Sequence, residues 1–216
     1  MNPQCTDRDL LALENILFLG AGGGAQPLID GANGQSNGTT FTAAVNFAAA
    51  GVGPGMVLTT YDLDRGSAEG RTCEIVAVRK PSELEISVLR VSTDSPAVAP
   101  ISGGECFYVR TYQPQIQAVH DALMERLRRA WSGGSAFTGS FLPSPQLRQV
   151  LACGTLAAIF VSRARDGTPT DANWLKAEHY RREFERLSTS LQLTFDPADG
   201  PGGGVVGLGN VTLRRV

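Results

Sequence analysis

The fold of this chain is decided by residues 171–196, which read DANWLKAEHYRREFERLSTSLQLTFD. Asp171 stands where a helix N-cap is expected, and apolar residues then recur at steps of three and four, the spacing of one face of an α-helix. That stripe consists of Trp174, Ala177, Tyr180, Phe184, Leu187 and Leu191. The pattern predicts an amphipathic helix that buries the stripe in the core of a helical bundle and ends at Asp196-Pro197.

A glycine-rich arm follows the predicted helix. Residues 200–209 contain six glycines and almost no polar side chains. They lead into a run of β-forming character, made of Val211, Thr212, Leu213, Arg214, Arg215 and Val216. A flexible segment that ends in a strand-forming run is typical of an element that pairs with another chain. The arm at 197–216 is therefore the predicted interaction element, and this organisation indicates assembly more than catalysis.

The composition is that of a globular protein. The chain has 216 residues, 42% of them hydrophobic, with 19 Lys+Arg against 21 Asp+Glu. This length supports one or two domains with a real core, and the charge balance is too neutral to indicate a nucleic-acid binder. The four cysteines have no metal-binding spacing, and no apolar run reaches transmembrane length. We expect a soluble protein of a reducing cytoplasm, without disulfides.

Changes in periodicity divide the chain into five parts. The predicted parts are an N-terminal helix at 1–19, a glycine-rich loop at 20–40, a small antiparallel β-domain at 41–112, a helical bundle at 113–196 and the arm at 197–216. The bundle is expected to hold helices over 114–131 and 145–165 besides the one described above. The predicted fold class is therefore α+β, mainly an α-helical bundle with an inserted β-domain.

A glycine motif near the N-terminus resembles a dinucleotide-binding fingerprint. Residues 16–25 read ILFLGAGGGA, which matches G-x-G-x-x-A after an apolar run. The fingerprint requires a helix to begin at its third glycine, so that the helix N-terminus faces the pyrophosphate. Pro27, Gly31 and Gly34 oppose such a helix, so a loop is the preferred interpretation.

No other group of residues forms a convergent catalytic or metal-binding pattern. The two histidines, His120 and His179, lack a set of partners at ligand spacing, and no serine lies in a nucleophile elbow. Arg126, Arg128 and Arg129 come near the end of a predicted helix, where they complement the helix dipole. The alternative role for these arginines is to face DNA. The sequence thus predicts no catalytic residue, no metal ligand and no cofactor.

Two stretches resemble the head-to-tail adaptor (connector) proteins of tailed bacteriophages. One runs from Leu147 to Arg163 and through a short loop to Trp174–Phe184, with Leu187 and Leu191 beyond it, and is similar to the last two helices of an adaptor. The other runs from 50–57 to 112–116 and resembles the β-insert of some connector subunits. The resemblance covers roughly residues 41–200 and rests on the order and spacing of these segments.

The resemblance implies a structural protein of the virion. Members of that family form rings, commonly of twelve subunits, that dock on the portal protein of the capsid, meet a tail or nozzle protein and leave a channel for DNA. It implies that the arm at 197–216 reaches a neighbouring subunit or the portal, that no membrane is involved, and that assembly takes place in the host cytoplasm. Three alternatives stay open: a head-completion (stopper) or tail-terminator protein, a small dinucleotide-binding enzyme, and an accessory DNA-binding module.

Overall fold

The computed structural model describes residues 4–20, 24–63, 70–100, 106–130, 140–141, 144–164, 168, 170–196 and 204–207. Within them the chain forms two compact units, one of residues 6–113 and the other of residues 1–5 with 114–216. The first unit holds α1 (Asp7–Leu13) and seven strands: β1 (Gln26–Gly31), β2 (Gln35–Asn37), β3 (Thr40–Thr42), β4 (Val57–Tyr61), β5 (Arg71–Lys80), β6 (Glu83–Ser87) and β7 (Cys106–Thr111). The second holds α2 (Gln113–Ala130), α3 (Pro145–Arg163), α4 (Ala172–Ser190), β8 (Ser140–Phe141), β9 (Gln192–Asp196) and β10 (Gly204–Gly207).

The first unit is built on one antiparallel sheet with the strand order β1-β7-β4-β5-β6-β3-β2. Its two edge strands are consecutive in the chain, since only residues 32–34 separate β1 from β2. A connection this short spans at most about 14 Å. The edges of a flat seven-stranded sheet would lie roughly 29 Å apart. The sheet must therefore curl towards a barrel until its edges approach each other.

The interior of the curled sheet is apolar. Two glycines allow the end of β1 and its connection to β2 to lie close to this interior. A Cβ atom at Gly31 would lie 2.7 Å from Cζ of Phe107, and one at Gly34 would lie 2.5 Å from Cζ of Phe41. Both distances are shorter than real Cβ contacts, so glycine is required at these positions. The buried residues of this core are Phe41, Ala43, Phe47, Val52, Leu58, Cys73, Ile75, Leu84, Ile86, Phe107 and Val109.

The outer face of strands β4, β5 and β7 is covered by the N-terminal segment. Leu10 and Leu17 are buried there, and the carbonyl of Phe18 accepts hydrogen bonds from the hydroxyls of Thr59 and Tyr108, at 3.3 and 2.7 Å. Residues 6–20 thus form a second layer over the outer face of the sheet, which would otherwise be exposed to solvent.

Three helices pack together in the second unit. Gly154 of α3 marks the point of closest approach, because a Cβ atom there would lie 2.8 Å from Val119 of α2 and 2.9 Å from Phe184 of α4. Between α3 and α4, the ring of Phe160 also stacks on the ring of Tyr180, with the ring centroids 5.9 Å apart. After α4 the chain continues as β9, which pairs with β8 on one side and β10 on the other.

The prediction of a mainly helical bundle is wrong. A seven-stranded antiparallel sheet forms one of the two units, and four helices accompany it. The segment 20–40, predicted as a loop, contributes β1 and β2 to that sheet, because its glycines permit close packing over the aromatic core. The helix expected to run to Asp196 ends at Ser190, and residues 192–196 form a strand instead.

The N-terminal helix predicted at 1–19 covers only Asp7–Leu13 in the described residues, whereas other elements agree with the sequence. Helices α2 and α3 lie within one or two residues of their predicted ranges, and strands β4–β7 lie inside the predicted β-domain at 41–112. At the start of that domain, regular pairing covers only Thr40–Thr42. Further along, the Phe47 amide donates to the Pro81 carbonyl at 2.7 Å.

Candidate interaction surface

Four exposed apolar residues of the first unit lie close together in sequence in the segment after β6, residues 88–98, which we call the apolar loop. Val91 is 101% exposed and Val98 is 53% exposed, and Val88 and Leu89 are also exposed. The base of the loop is closed, since the Val88 amide donates to the Val98 carbonyl at 3.0 Å and the Val98 amide donates to Ser87 Oγ at 2.8 Å. A grouped set of exposed apolar side chains on one projection is typical of a protein contact site.

Buried charges hold the apolar loop in place. The guanidinium of Arg90 is turned inwards, where it pairs with the carboxylate of Glu74, and its Nη1 donates to the carbonyls of Thr93 and Ser95 at 2.8 Å each. The carboxylate of Glu74 is completely buried and also pairs with Arg8 of α1, whose guanidinium donates to the Arg90 carbonyl. We call Arg8, Glu74 and Arg90 the buried ion triad.

The buried ion triad favours one arrangement of the apolar loop. Exchanging a buried ion pair for apolar residues often leaves stability unchanged or improves it, so such a pair adds little net stability. It does, however, disfavour every arrangement in which one of its charges loses its partner. Because Arg90 binds the carbonyls of its own loop, a loop that moved away would leave its guanidinium without those partners. The contacts with Glu74 and Arg8 thus favour the arrangement in which the valines are exposed.

A second exposed surface lies on α4 in the other unit. Trp174, Leu175, Glu178, His179, Arg181 and Arg182 line a shallow depression of about 530 Å³. Leu175 is 54% exposed, and Arg181 pairs with Glu178 at 2.8 Å. Surface pairs of this kind contribute little to stability. The mixture of apolar and charged side chains matches the composition of a protein contact better than that of an enclosed ligand site.

The structure fully buries only part of the apolar stripe predicted on α4. Ala177, Tyr180 and Leu191 are buried, although Leu191 lies just beyond the helix. The others, Trp174, Phe184 and Leu187, are half-buried.

The predicted arm residues Val211, Thr212, Leu213, Arg214, Arg215 and Val216 lie outside the described residues.

The arginines proposed to face DNA have local partners in the structure. Cζ of Arg126 lies 6.0 Å from the ring centroid of Phe184, and Nε of Arg129 lies 3.1 Å from Oε1 of Glu125. Arg128 belongs to α2, but its side chain is outside the described part. The two described guanidinium groups are thus engaged within their own unit.

The candidates for catalysis are not brought together. His120 is buried on α2 beside Asp121, with Nδ1 3.1 Å from Oδ1, while His179 is exposed on α4. Burial raises the pKa of the Cys73 and Cys153 thiols to about 11 each, so both are protonated and poorly nucleophilic at neutral pH. In the described ranges, no three His, Cys, Asp or Glu residues are grouped so that they could hold a metal ion.

The glycine motif at 20–25 lacks the context that a dinucleotide site requires. The described residues after it form the strand β1, which pairs antiparallel with β7, rather than a helix. A strand there presents no helix N-terminus to a pyrophosphate.

Sequence reasoning missed the buried ion triad and a second buried acid, Asp7. Neither Asp7 nor Glu74 belongs to a motif that the sequence predicts to be functional. One signal was available, because Glu74 stands between the apolar residues Cys73 and Ile75 in the predicted β-domain. A charged residue in such a strand marks a buried pair when its partner is distant in sequence.

Comparison with known proteins gives no match: no family model, curated protein or solved structure is similar to this chain. Among the helices of the described ranges, none is both long and apolar enough to cross a membrane.

Proposed function

We propose that this chain is a structural protein of a bacteriophage virion, a non-catalytic subunit that forms a ring and joins the portal vertex to the tail. The observation that carries the proposal is the apolar loop, an exposed apolar projection fixed by buried charges. An enzyme has no general need of such a projection. A subunit that repeats one contact around a ring does, because each copy must offer a preformed surface to the next.

The surface of α4 supplies a matching second contact. In a ring the contacts are head-to-tail, so two different patches of the same chain meet. The apolar loop and the α4 face are two such patches, one on each unit. The specific role as an adaptor, with a portal protein on one side and a tail or nozzle protein on the other, is supported by the resemblance of residues 41–200 to phage adaptors.

Ring formation can be tested with one apolar-to-charged substitution. Val91→Asp places a charge on the fully exposed tip of the apolar loop and should leave the fold intact. Ile16→Asp is the matched control, since Ile16 is 60% exposed in the same unit and belongs to neither patch. Sedimentation velocity and negative-stain electron microscopy would follow assembly, both of the chain alone and with portal rings of the phage or prophage that encodes it.

We expect closed rings for the wild type and for Ile16→Asp, either alone or on portal rings, and monomers for Val91→Asp. A wild-type chain that neither self-associates nor binds portal rings contradicts the proposal. Rings that form equally well with Val91→Asp contradict the role of the apolar loop but leave assembly standing.

A second candidate, a head-completion (stopper) or tail-terminator protein, is favoured by one observation. The curled seven-stranded sheet forms a complete unit, so the β-domain is larger than a small insert in a bundle. In this case the β-unit would make the main contacts of the assembly. Locating the chain by electron microscopy of purified virions separates the candidates, since an adaptor contacts the portal directly and a tail terminator does not.

A further inference from the structure

The chain passes between its two units twice, and a single buried side chain ties the two passages together. The first passage lies at residues 5–6 and the second at 113–114. Asp7 comes directly after the first passage, and Thr111 and Tyr112 come directly before the second. These residues are distant in sequence but adjacent in the structure.

The carboxyl group of Asp7 makes both connections. Thr111 Oγ1 donates to Asp7 Oδ2 at 2.6 Å, and the Tyr112 amide donates to Asp7 Oδ1 at 2.7 Å. The hydroxyl of Thr111 also accepts a hydrogen bond from the Gln113 amide at 3.0 Å, at the first residue of α2. Asp7 is completely buried, so water does not compete for these bonds.

We propose that Asp7 is a pH-sensitive clamp, whose carboxyl group fastens the two passages when it is protonated and loosens them when it becomes charged. The inference does not depend on the proposed function, because it uses only contacts inside residues 6–113. Its consequence is that α1 and the start of α2 are held more firmly in mildly acidic solution than at neutral pH.

Protonation is compatible with the observed contacts. Oδ1 must keep accepting from the Tyr112 amide, so the proton belongs on Oδ2 and is donated to Thr111 Oγ1. The hydroxyl oxygen of Thr111 has two lone pairs and can accept from both Asp7 and the Gln113 amide. The proton of the Thr111 hydroxyl then turns away from Asp7. The two passages remain connected, and no charge is buried.

The surroundings of Asp7 favour its neutral form. Burial is the largest effect and raises the pKa of Asp7 from 3.8 to about 7, with the hydrogen bonds from Thr111 and Tyr112 opposing it and the nearby Asp9 carboxylate adding to it. The guanidinium of Arg8 is occupied elsewhere, by Glu74, the Arg90 carbonyl and Asp9. From the β7 side the described contacts are the uncharged groups of Thr111 and Tyr112.

The direction of the pH effect follows from linkage. When the clamp opens and Asp7 reaches water, its pKa returns towards 3.8, below the value in the closed state. The closed state therefore binds the proton more tightly. The resulting stabilisation is fully present below pH 3.8 and is lost as the pH rises to about 7, where it levels off.

Amide hydrogen exchange of the full-length chain tests the clamp. Asp7→Asn is the matched variant, because its amide oxygen can accept from Tyr112, its amide nitrogen can donate to Thr111, and it does not titrate. In the wild type, we expect the protection factors of Tyr112 and Gln113 to fall about tenfold for each pH unit between pH 5 and 7 and then to level off. In Asp7→Asn they should not change with pH.

Two further measurements separate a clamp from an ordinary buried acid. The carboxyl carbon of Asp7, followed by NMR, should titrate near pH 7 in the wild type, a measurement that does not depend on whether Asp7→Asn folds. Asp9→Asn should lower that midpoint, since the Asp9 charge raises it. An Asp7 midpoint near 4, or protection factors at Tyr112 with the same pH dependence in wild type and Asp7→Asn, would overturn the proposal.

Discussion

At the scale of single residues, the feature that most constrains this protein is the completely buried carboxylate of Glu74 between two arginines. Each guanidinium belongs to a different segment, Arg8 to α1 and Arg90 to the apolar loop. The pairing therefore fixes the positions of two segments on the outer face of β5 at once. If Glu74 loses its charge, Arg90 is left buried without its counter-ion, and Arg8 keeps only the Asp9 carboxylate, at 3.6 Å.

We therefore expect Glu74→Gln to lower the free energy of unfolding by about 3–5 kcal/mol, the cost of leaving buried charges without a partner. Glu85→Gln is the control, because Glu85 on the adjacent strand β6 pairs with Arg79, whose side chain is 60% exposed. Loss of that pair should cost about 1 kcal/mol or less. Urea denaturation of the three proteins measures the difference. Equal effects of the two substitutions would show that the triad is not structurally important.

At the scale of helices and strands, the sequence predicted those elements whose periodicity is unbroken. Helices α2 and α3 repeat apolar residues at helical spacing, and β5 and β7 are rich in β-branched and aromatic residues. Strands β1 and β2 were missed because Gly31 and Gly34 are typical of loops. These two glycines are needed for tertiary packing instead, since Phe107 and Phe41 leave no room for a Cβ atom at either position. The end of α4 was placed too late because Pro197 was the most evident stop signal.

The buried ion triad and the Asp7 clamp could not be derived from local patterns. Glu74 and Arg90 are 16 residues apart, Arg8 and Glu74 are 66 apart, and Asp7 and Thr111 are 104 apart. Such pairs form only when the sheet brings distant segments together. Periodicity describes which face of an element is apolar, but it does not identify which charged residue on that face finds a partner.

The packing of the three helices at Gly154 leads to a prediction about these elements. Gly154→Ala should destabilise the second unit by about 1–3 kcal/mol, because the added methyl group meets Val119 and Phe184 in a closely packed core. Alanine is the better helix former by up to about 1 kcal/mol, so a net loss of stability would show that packing outweighs propensity.

Gly53→Ala is the control for Gly154→Ala, since nothing lies within 4 Å of its added Cβ and its φ is not positive. Thermal unfolding followed by circular dichroism compares the two. If Gly154→Ala stabilises the protein, the three helices do not approach as closely as described.

At the scale of the whole molecule, the first unit contains everything that a small domain requires. All seven strands of its sheet, its aromatic core and the segment that covers the outer face come from residues 6–113. The Asp7 clamp and the buried ion triad are also internal to it. The second unit, by contrast, is assembled from both ends of the chain.

We therefore expect residues 4–113, expressed alone, to fold. The fragment should show a β-type circular dichroism spectrum and a single cooperative urea transition with a slope of about 1–3 kcal/mol/M, typical of small domains. A shorter fragment that begins at residue 21 should not fold, because it lacks α1 and the carbonyl of Phe18. Glu74 then loses Arg8, and the hydroxyls of Thr59 and Tyr108 lose the Phe18 carbonyl. A folded short fragment would mean that the curled sheet is stable without its N-terminal cover. A longer fragment that stays unfolded would mean that the sheet depends on the helical unit.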